Sequence, residues 1–241
     1  MAERTISTVP GRVLLFLGVA LASQLALKAL EPRPAASGAD LPRAPPIEAL
    51  RLASLGEPIA AANLLSLYLQ AFDTQPGISI AFKDLDYGRV EDWLIRILQL
   101  DPPGQYPLLM ASQIYSQVPD EKKQRRVLDL VYRQFLLDPN RRWRWLAHAA
   151  ILAKHRLHDL GLALRYASAI NQHATSAEVP HWARQMYIFV LEDMGEHETA
   201  KILLGGLLAS GAITDAHEAR FLTERLNSLQ PAEKSSTMSG R

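Results

Sequence analysis

Seven histidines and several adjacent carboxylates are the residues of this 241-residue chain whose types could do chemistry. His148, His155 and His158 lie on one stretch, and His155 and His158 are three apart. That spacing puts two imidazoles on one helix face, where they can share a metal ion, with Asp159 adjacent. A metal-dependent hydrolase is the activity such a pair implies. The competing reading is that His158 and Asp159 sit in a solvated turn. His173, His181, His197 and His217 lie apart, without ligand spacing. The carboxylate pairs Asp84/Asp86, Glu91/Asp92 and Glu192/Asp193 read as helix caps and solvated faces. Acid–base catalysis would need them to line a cleft. The chain holds no P-loop, dinucleotide fingerprint, nucleophile elbow or HExxH. It also has no cysteine, which removes disulfides, thiolate nucleophiles and thiolate-held metals. The expectation is a protein that is not an enzyme, with no cofactor and no small-molecule substrate.

The most unusual local composition runs from Asn140 to Trp145, where Arg141, Arg142 and Arg144 interleave with Trp143 and Trp145. Arg125 and Arg126 precede it, and His181-Trp182-Ala183-Arg184 repeats the style. Arg and Trp dominate binding hot spots, because each joins a large contact area to directed polar groups. Arg141, Arg142, Trp143, Arg144, Trp182 and Arg184 are therefore the candidate partner-binding residues. Two other readings stand beside this one. The tryptophans belong to the core with the arginines on a solvated face, or the run touches lipid headgroups or nucleic acid. Across the chain 26 basic residues nearly cancel 25 acidic ones, so no global charge favours nucleic acid, and none is expected as a partner.

Three elements must position these residues. The first is apolar. Residues 1–12 form a polar tail, after which Val13 to Leu27 runs without a charge. Lys28 can snorkel its ammonium to an interface, which extends the span to 13–30, about 27 Å of helix and enough for a bilayer core. Val13, Leu14, Leu15, Phe16, Leu17, Leu21, Leu25 and Leu27 would be the anchor side chains. The rivals are a cleaved signal peptide, with Ala20-Leu21-Ala22 before Ser23 as its processing site, and an ordinary buried helix. Arg4 and Arg12 keep the N-terminus inside by the positive-inside rule. With an Ala-, Leu- and Arg-rich composition that fits a GC-rich bacterium, the expected location is a bacterial inner membrane. The chain crosses it once, with a cytoplasmic N-terminus and a periplasmic body.

The second element, residues 31–46, holds five prolines and reads as an extended spacer. The third, residues 47–230, is a helical body, followed by a polar tail at 231–241. Apolar residues recur at helical spacing: Leu64, Leu65, Tyr68, Leu69 and Phe72 on one face, Trp93, Leu94, Ile97 and Leu98 on another. Breakers such as Gly56, Pro102-Pro103-Gly104, Asp138-Pro139, Pro180, Gly195 and Gly211 divide it into about ten helices, with starts at Asp120 and Asp215. Asp73 to Lys83 reads as a long loop.

Met194-Gly195-Glu196 followed by Ala200 and Leu204 resembles a tetratricopeptide (TPR) repeat, with its turn Gly, an Ala five residues on and a bulky residue four later. His158 to Ala163 has the same spacing, with His where the family prefers Gly, and Gly56 to Ala61 gives a third. Pro102 and Pro139 resemble the family's inter-repeat proline, but Pro102 to Pro139 is 37 residues and Pro139 to Pro180 is 41, longer than the family's period. The resemblance implies an all-α, TPR-like solenoid of antiparallel helix hairpins behind one transmembrane helix. Its concave face would take a protein segment. A membrane-anchored adaptor, scaffold or assembly factor is the function it implies. An accessory subunit of an integral-membrane complex is the alternative.

Overall fold

A computed structural model describes residues 10–30, 40–75, 78–211, 213 and 215–229. Most of the polar tail at 1–12, residues 31–39 of the spacer and the C-terminal tail at 231–241 lie outside the described residues. The chain divides into two units, one formed by residues 1–39 and 74–80, the other by residues 40–73 and 81–241.

In the first unit, α1 runs Gly11–Leu30. The carbonyl of Pro10 accepts from the Val13 amide at 2.9 Å to open it, and Lys28 sits in its last turn, where a cation meets the negative end of the helix dipole. Its window Gly11–Lys28 has a mean hydropathy of 1.4 and is buried nowhere in the structure. A core helix would bury one face. This one is long and apolar enough to cross a membrane. The same unit holds β1 (Thr74–Gln75) and β2 (Ile78–Ser79), an antiparallel pair with Thr74 opposite Ser79. This short pair falls inside the segment expected as a long loop.

The second unit carries ten helices among the described residues: α2 (Ile47–Ala53), α3 (Pro58–Gln70), α4 (Tyr87–Leu100), α5 (Tyr106–Leu109), α6 (Glu121–Leu137), α7 (Pro139–His155), α8 (Leu160–His173), α9 (His181–Asp193), α10 (His197–Ala209) and α11 (Ala216–Ser228). Their starts are chemically marked. Asp86, Asp120, Asp159 and Asp215 each accept a first-turn amide, at 2.8 Å for Gly88, 3.0 Å for Lys123, 2.8 Å for Leu162 and 2.8 Å for His217. Pro58 and Pro139 occupy first-turn positions, where a missing N–H costs nothing. The unit begins at Asp40, within the segment read as spacer. Leu41 is buried there, the Arg89 guanidinium donates to the Leu41 carbonyl and the Trp93 indole donates to that of Pro42 at 2.9 Å.

From α6 to α11 each helix packs chiefly on its neighbour in the chain, and α7 also reaches α9. Two of the three Gly-to-Ala spacings have a common geometry. Gly195 has φ +84° and His158 φ +51°, the left-handed turn conformation, and Ala200 and Ala163 five residues on are fully buried. The methyl groups let adjacent helices approach. Ala200 lies in a cluster with Ile188 of α9 and Leu204 and Leu222, the last from α11. At the third turn Gly56 has φ +92°, but the buried position is Ala62, one residue beyond the expected Ala61.

Candidate partner-binding surface

Helix α7 begins one residue after α6 ends, with Asp138 alone between them. Its 3.6-residue period turns Arg142, Trp143, Leu146, Ala147 and Ala150 inward and leaves Arg141 and Arg144 exposed. The run of arginines and tryptophans is therefore split by the helix that carries it.

Arg142 is 4% exposed. Its Nη1 donates to the carbonyl of Gln134 at 2.7 Å and to Gln134 Oε1 at 2.9 Å, and its Nη2 donates to the carbonyl of Pro102 at 2.7 Å. Gln134 lies in the last turn of α6 and Pro102 just beyond α4, so the cation sits against the negative ends of two helices. This is how a buried guanidinium survives with no carboxylate of its own. Burial pulls its pKa below the usual arginine value; Asp138 partly opposes that, and the like charge of Arg141 adds to it. Nε has no partner. Asp138 is engaged instead by Arg141, at 3.1 Å.

These residues line an open groove of about 730 Å³, closed by Ile47 and Arg51 from α2, Ile95, Leu98 and Gln99 from α4, Pro102 and Pro103, and Leu137 of α6. Arg51, Leu137 and the two prolines come from parts of the chain the Arg/Trp composition did not flag.

Trp143 meets Trp182 edge to face at a ring-centroid distance of 5.4 Å, which ties α7 to α9. Arg144 lies over the Trp143 ring, 5.0 Å from its centroid. Trp143 is buried, whereas Trp182 is 51% exposed. The three form a compact Arg–Trp–Trp stack whose outer member faces solvent. Trp145 is half-buried and donates its indole N–H to Gln105 Oε1 at 2.6 Å.

Arg184 is two residues past Trp182, roughly 200° around α9, and so faces elsewhere. It lines a second groove, of about 480 Å³, with Gln185, Tyr187 and Ile188 and with Ile202, Leu203 and Gly206 of α10. Gln185 in this groove is buried, and its amide donates to Glu218 Oε1 at 3.1 Å. The six flagged residues thus occupy three places: Arg141 and Arg142 on the first groove, Trp143, Arg144 and Trp182 in the stack, and Arg184 on the second groove.

The His155/His158 pair does not share a helix face, because α7 ends at His155 and His158 lies in the left-handed turn. Asp159 is committed to the Leu162 amide at 2.8 Å and the Arg125 guanidinium at 2.6 Å, contacts that lower its pKa, the backbone bond more than the ion pair. No group of three or more His, Asp or Glu positioned for a metal ion occurs among the described residues. His148 on α7 has a buried, unpartnered Nε2, and burial lowers its pKa.

A further surface is apolar. From Pro58 to Phe72 there is no charged residue, and α3 buries Ala62, Ser66 and Leu69 while exposing Ile59, Leu64, Leu67 and Tyr68. Contiguous exposed apolar faces mark interaction sites.

Compared with known proteins, the chain matches no family model, no curated protein and no solved structure. Its class is set by its own architecture: a mostly α-helical packed body, consistent with a helical-repeat fold, and one apolar N-terminal helix long enough to span a bilayer.

Proposed function

We propose that this chain is a membrane-anchored adaptor, scaffold or assembly factor that binds protein partners through a TPR-like helical-repeat body. The observation that carries the reading is the Arg144–Trp143–Trp182 stack, which ends in a half-exposed indole. Rigid aromatic and guanidinium groups in contact, with one indole left open, are the chemistry of protein hot spots. Neighbour-on-neighbour packing from α6 to α11, with buried Ala200 and Ala163 after left-handed turns, supports reading the body as stacked repeats.

Helix α1, unburied and apolar, is the anchor in this reading, and Arg4 and Arg12 hold its N-terminal side in the cytoplasm. The body then stands in the bacterial periplasm. Tethering raises the effective concentration of the grooves for membrane-bound partners without any new contact. No catalytic step and no cofactor enter this mechanism. The charge-free outer face of α3 favours the second reading, an accessory subunit seated against an integral-membrane complex.

Purification of the full chain from its own membranes in mild detergent tests both. Wild type is expected to retain one or more membrane proteins, and a Trp182→Ala/Arg144→Ala variant at least fivefold less, with an unchanged far-UV spectrum. A single stoichiometric partner favours the subunit. Equal retention by both proteins, or none by either, refutes binding through this surface.

A further inference from the structure

We infer that the groove between α2, α4, α6 and α7 is a carboxylate-recognition site that takes an acidic peptide segment carrying a bulky apolar side chain beside its carboxylate. The inference rests on the protein-binding reading above and names the chemistry of what is bound.

Charge comes first. Three guanidiniums line the groove, from Arg51, Arg141 and Arg142, against one carboxylate, that of Asp138, which Arg141 already holds at 3.1 Å. Arg51 makes no ion pair among the described residues. Two positive charges are left in excess in a cleft whose remaining walls are mostly apolar. Low-dielectric walls strengthen that field and draw an anion in.

Arg142 supplies the second argument. A guanidinium has five N–H donors, and the three hydrogen bonds to Gln134 and Pro102 leave two without a partner, Nε–H among them. That Nε–H is sealed from the groove, so Arg142 acts on a ligand there through its positive charge in the groove wall. A carboxylate is the acceptor that matches the planar guanidinium forks of exposed Arg51 and Arg141 with two parallel bonds. Arg141 and Arg51 then neutralise it from the rim.

The walls decide between anions. Ile47, Ile95, Leu98 and the 74%-exposed Leu137 offer apolar area that a free phosphate or sulfate would leave unused. A peptide carboxylate with a neighbouring leucine, isoleucine or phenylalanine fills both halves. The volume of about 730 Å³ lies within the range of ~300–1,000 Å³ for ligand clefts, enough for a few side chains of an extended segment.

The test uses the full chain in detergent micelles and an unbiased random heptapeptide display library as the probe. Enriched peptides are expected to place Asp, Glu or a free C-terminal carboxylate next to a large apolar residue. The best of them, labelled and followed by fluorescence anisotropy, is expected to bind at least tenfold more weakly when its acid becomes the amide. The same loss is expected for an Arg51→Glu/Arg141→Glu protein with an unchanged far-UV spectrum. Both substitutions lie on exposed positions, and the ion pair that the second removes, Arg141 with Asp138, is itself at the surface. Enriched peptides without acidic bias, or binding indifferent to Arg51 and Arg141, overturn the inference. If that binding is instead lost in Trp182→Ala, the groove assignment fails and the protein-binding reading stands. If no peptide is enriched over empty micelles, both fail.

Discussion

Replacing Arg142 by Met removes the one cation that joins the ends of α4 and α6 to the start of α7 while keeping an unbranched stem of similar length. The carbonyls of Gln134 and Pro102 lose donors at 2.7 Å each. Both bonds are part-buried and Pro102 itself is exposed, so each carbonyl loses toward the lower end of the about 1–3 kcal/mol that an unsatisfied buried acceptor costs. The Gln134 side chain is only half-buried and can turn to water, so its Oε1 adds little. Loss of the charge at two helix C-termini adds a few tenths to about 1 kcal/mol. Against this, the variant no longer buries a guanidinium with an unpartnered Nε, which returns part of the cost. The balance is a destabilisation of roughly 2–4 kcal/mol, dominated by the two carbonyls. For a body of this size each kcal/mol moves Tm by about 2–4 °C, so a fall of about 4–16 °C is expected in thermal unfolding of the detergent-solubilised chain followed at 222 nm. Arg142→Lys keeps the charge with a single point of donation and should fall between the two. A Met variant that melts within about 1 °C of wild type would show that the guanidinium bridges nothing of consequence.

Two further outcomes follow from the turns. Ala200→Leu puts extra methylenes against Ile188 and Leu222, where the alanine is fully buried, and should destabilise by about 1–3 kcal/mol in urea unfolding, whereas the same change at exposed Ala209 should be nearly silent. Asp159→Ala loses both the α8 cap and the Arg125 ion pair, with the cap alone worth about 0.5–2 kcal/mol, while Asp159→Asn keeps the cap. Because the folded-state pKa of Asp159 is depressed, its ionised form stabilises the fold fully above the unfolded-state value of about 3.9, and that contribution disappears as pH falls through the lower folded value. The stability gap between wild type and Asp159→Asn should therefore close as pH falls below about 4; a gap that is constant with pH contradicts the ion-pair account.

What the chain reveals before folding and what it hides have physical causes. Caps are local, so Asp120 and Asp215 announced their helices. Left-handed turns followed by a small residue are also local, and Gly195–Ala200 and His158–Ala163 are visible as spacings. The Gly56 turn slips by one, burying Ala62 rather than Ala61, although α3 starts two residues past its turn residue just as α8 and α10 do. Trp143 and Trp182 stand at different positions, fifth in α7 and second in α9, so their meeting comes from packing, whereas the departure of Arg184 from Trp182 follows from the 100° step. Burial of Arg142 was hidden, since a run of three arginines reads as a solvated face. Its partners are carbonyls, which carry no side-chain signature. The first groove was hidden for a similar reason. Arg51, Leu98, Pro102 and Leu137 are far apart in the chain and come together only through packing.

The central claim is that an anchored helical body captures protein through the Trp182 stack and the arginine groove. Its most direct test is site-specific photo-crosslinking of the full chain in native membranes, with benzoylphenylalanine placed in turn at Trp182 and Leu137 and, as a control, at exposed Lys122 outside both grooves and the stack. The account predicts discrete protein adducts from positions 182 and 137 and none from position 122. Adducts of equal yield at every position, or none at Trp182 and Leu137, would contradict it.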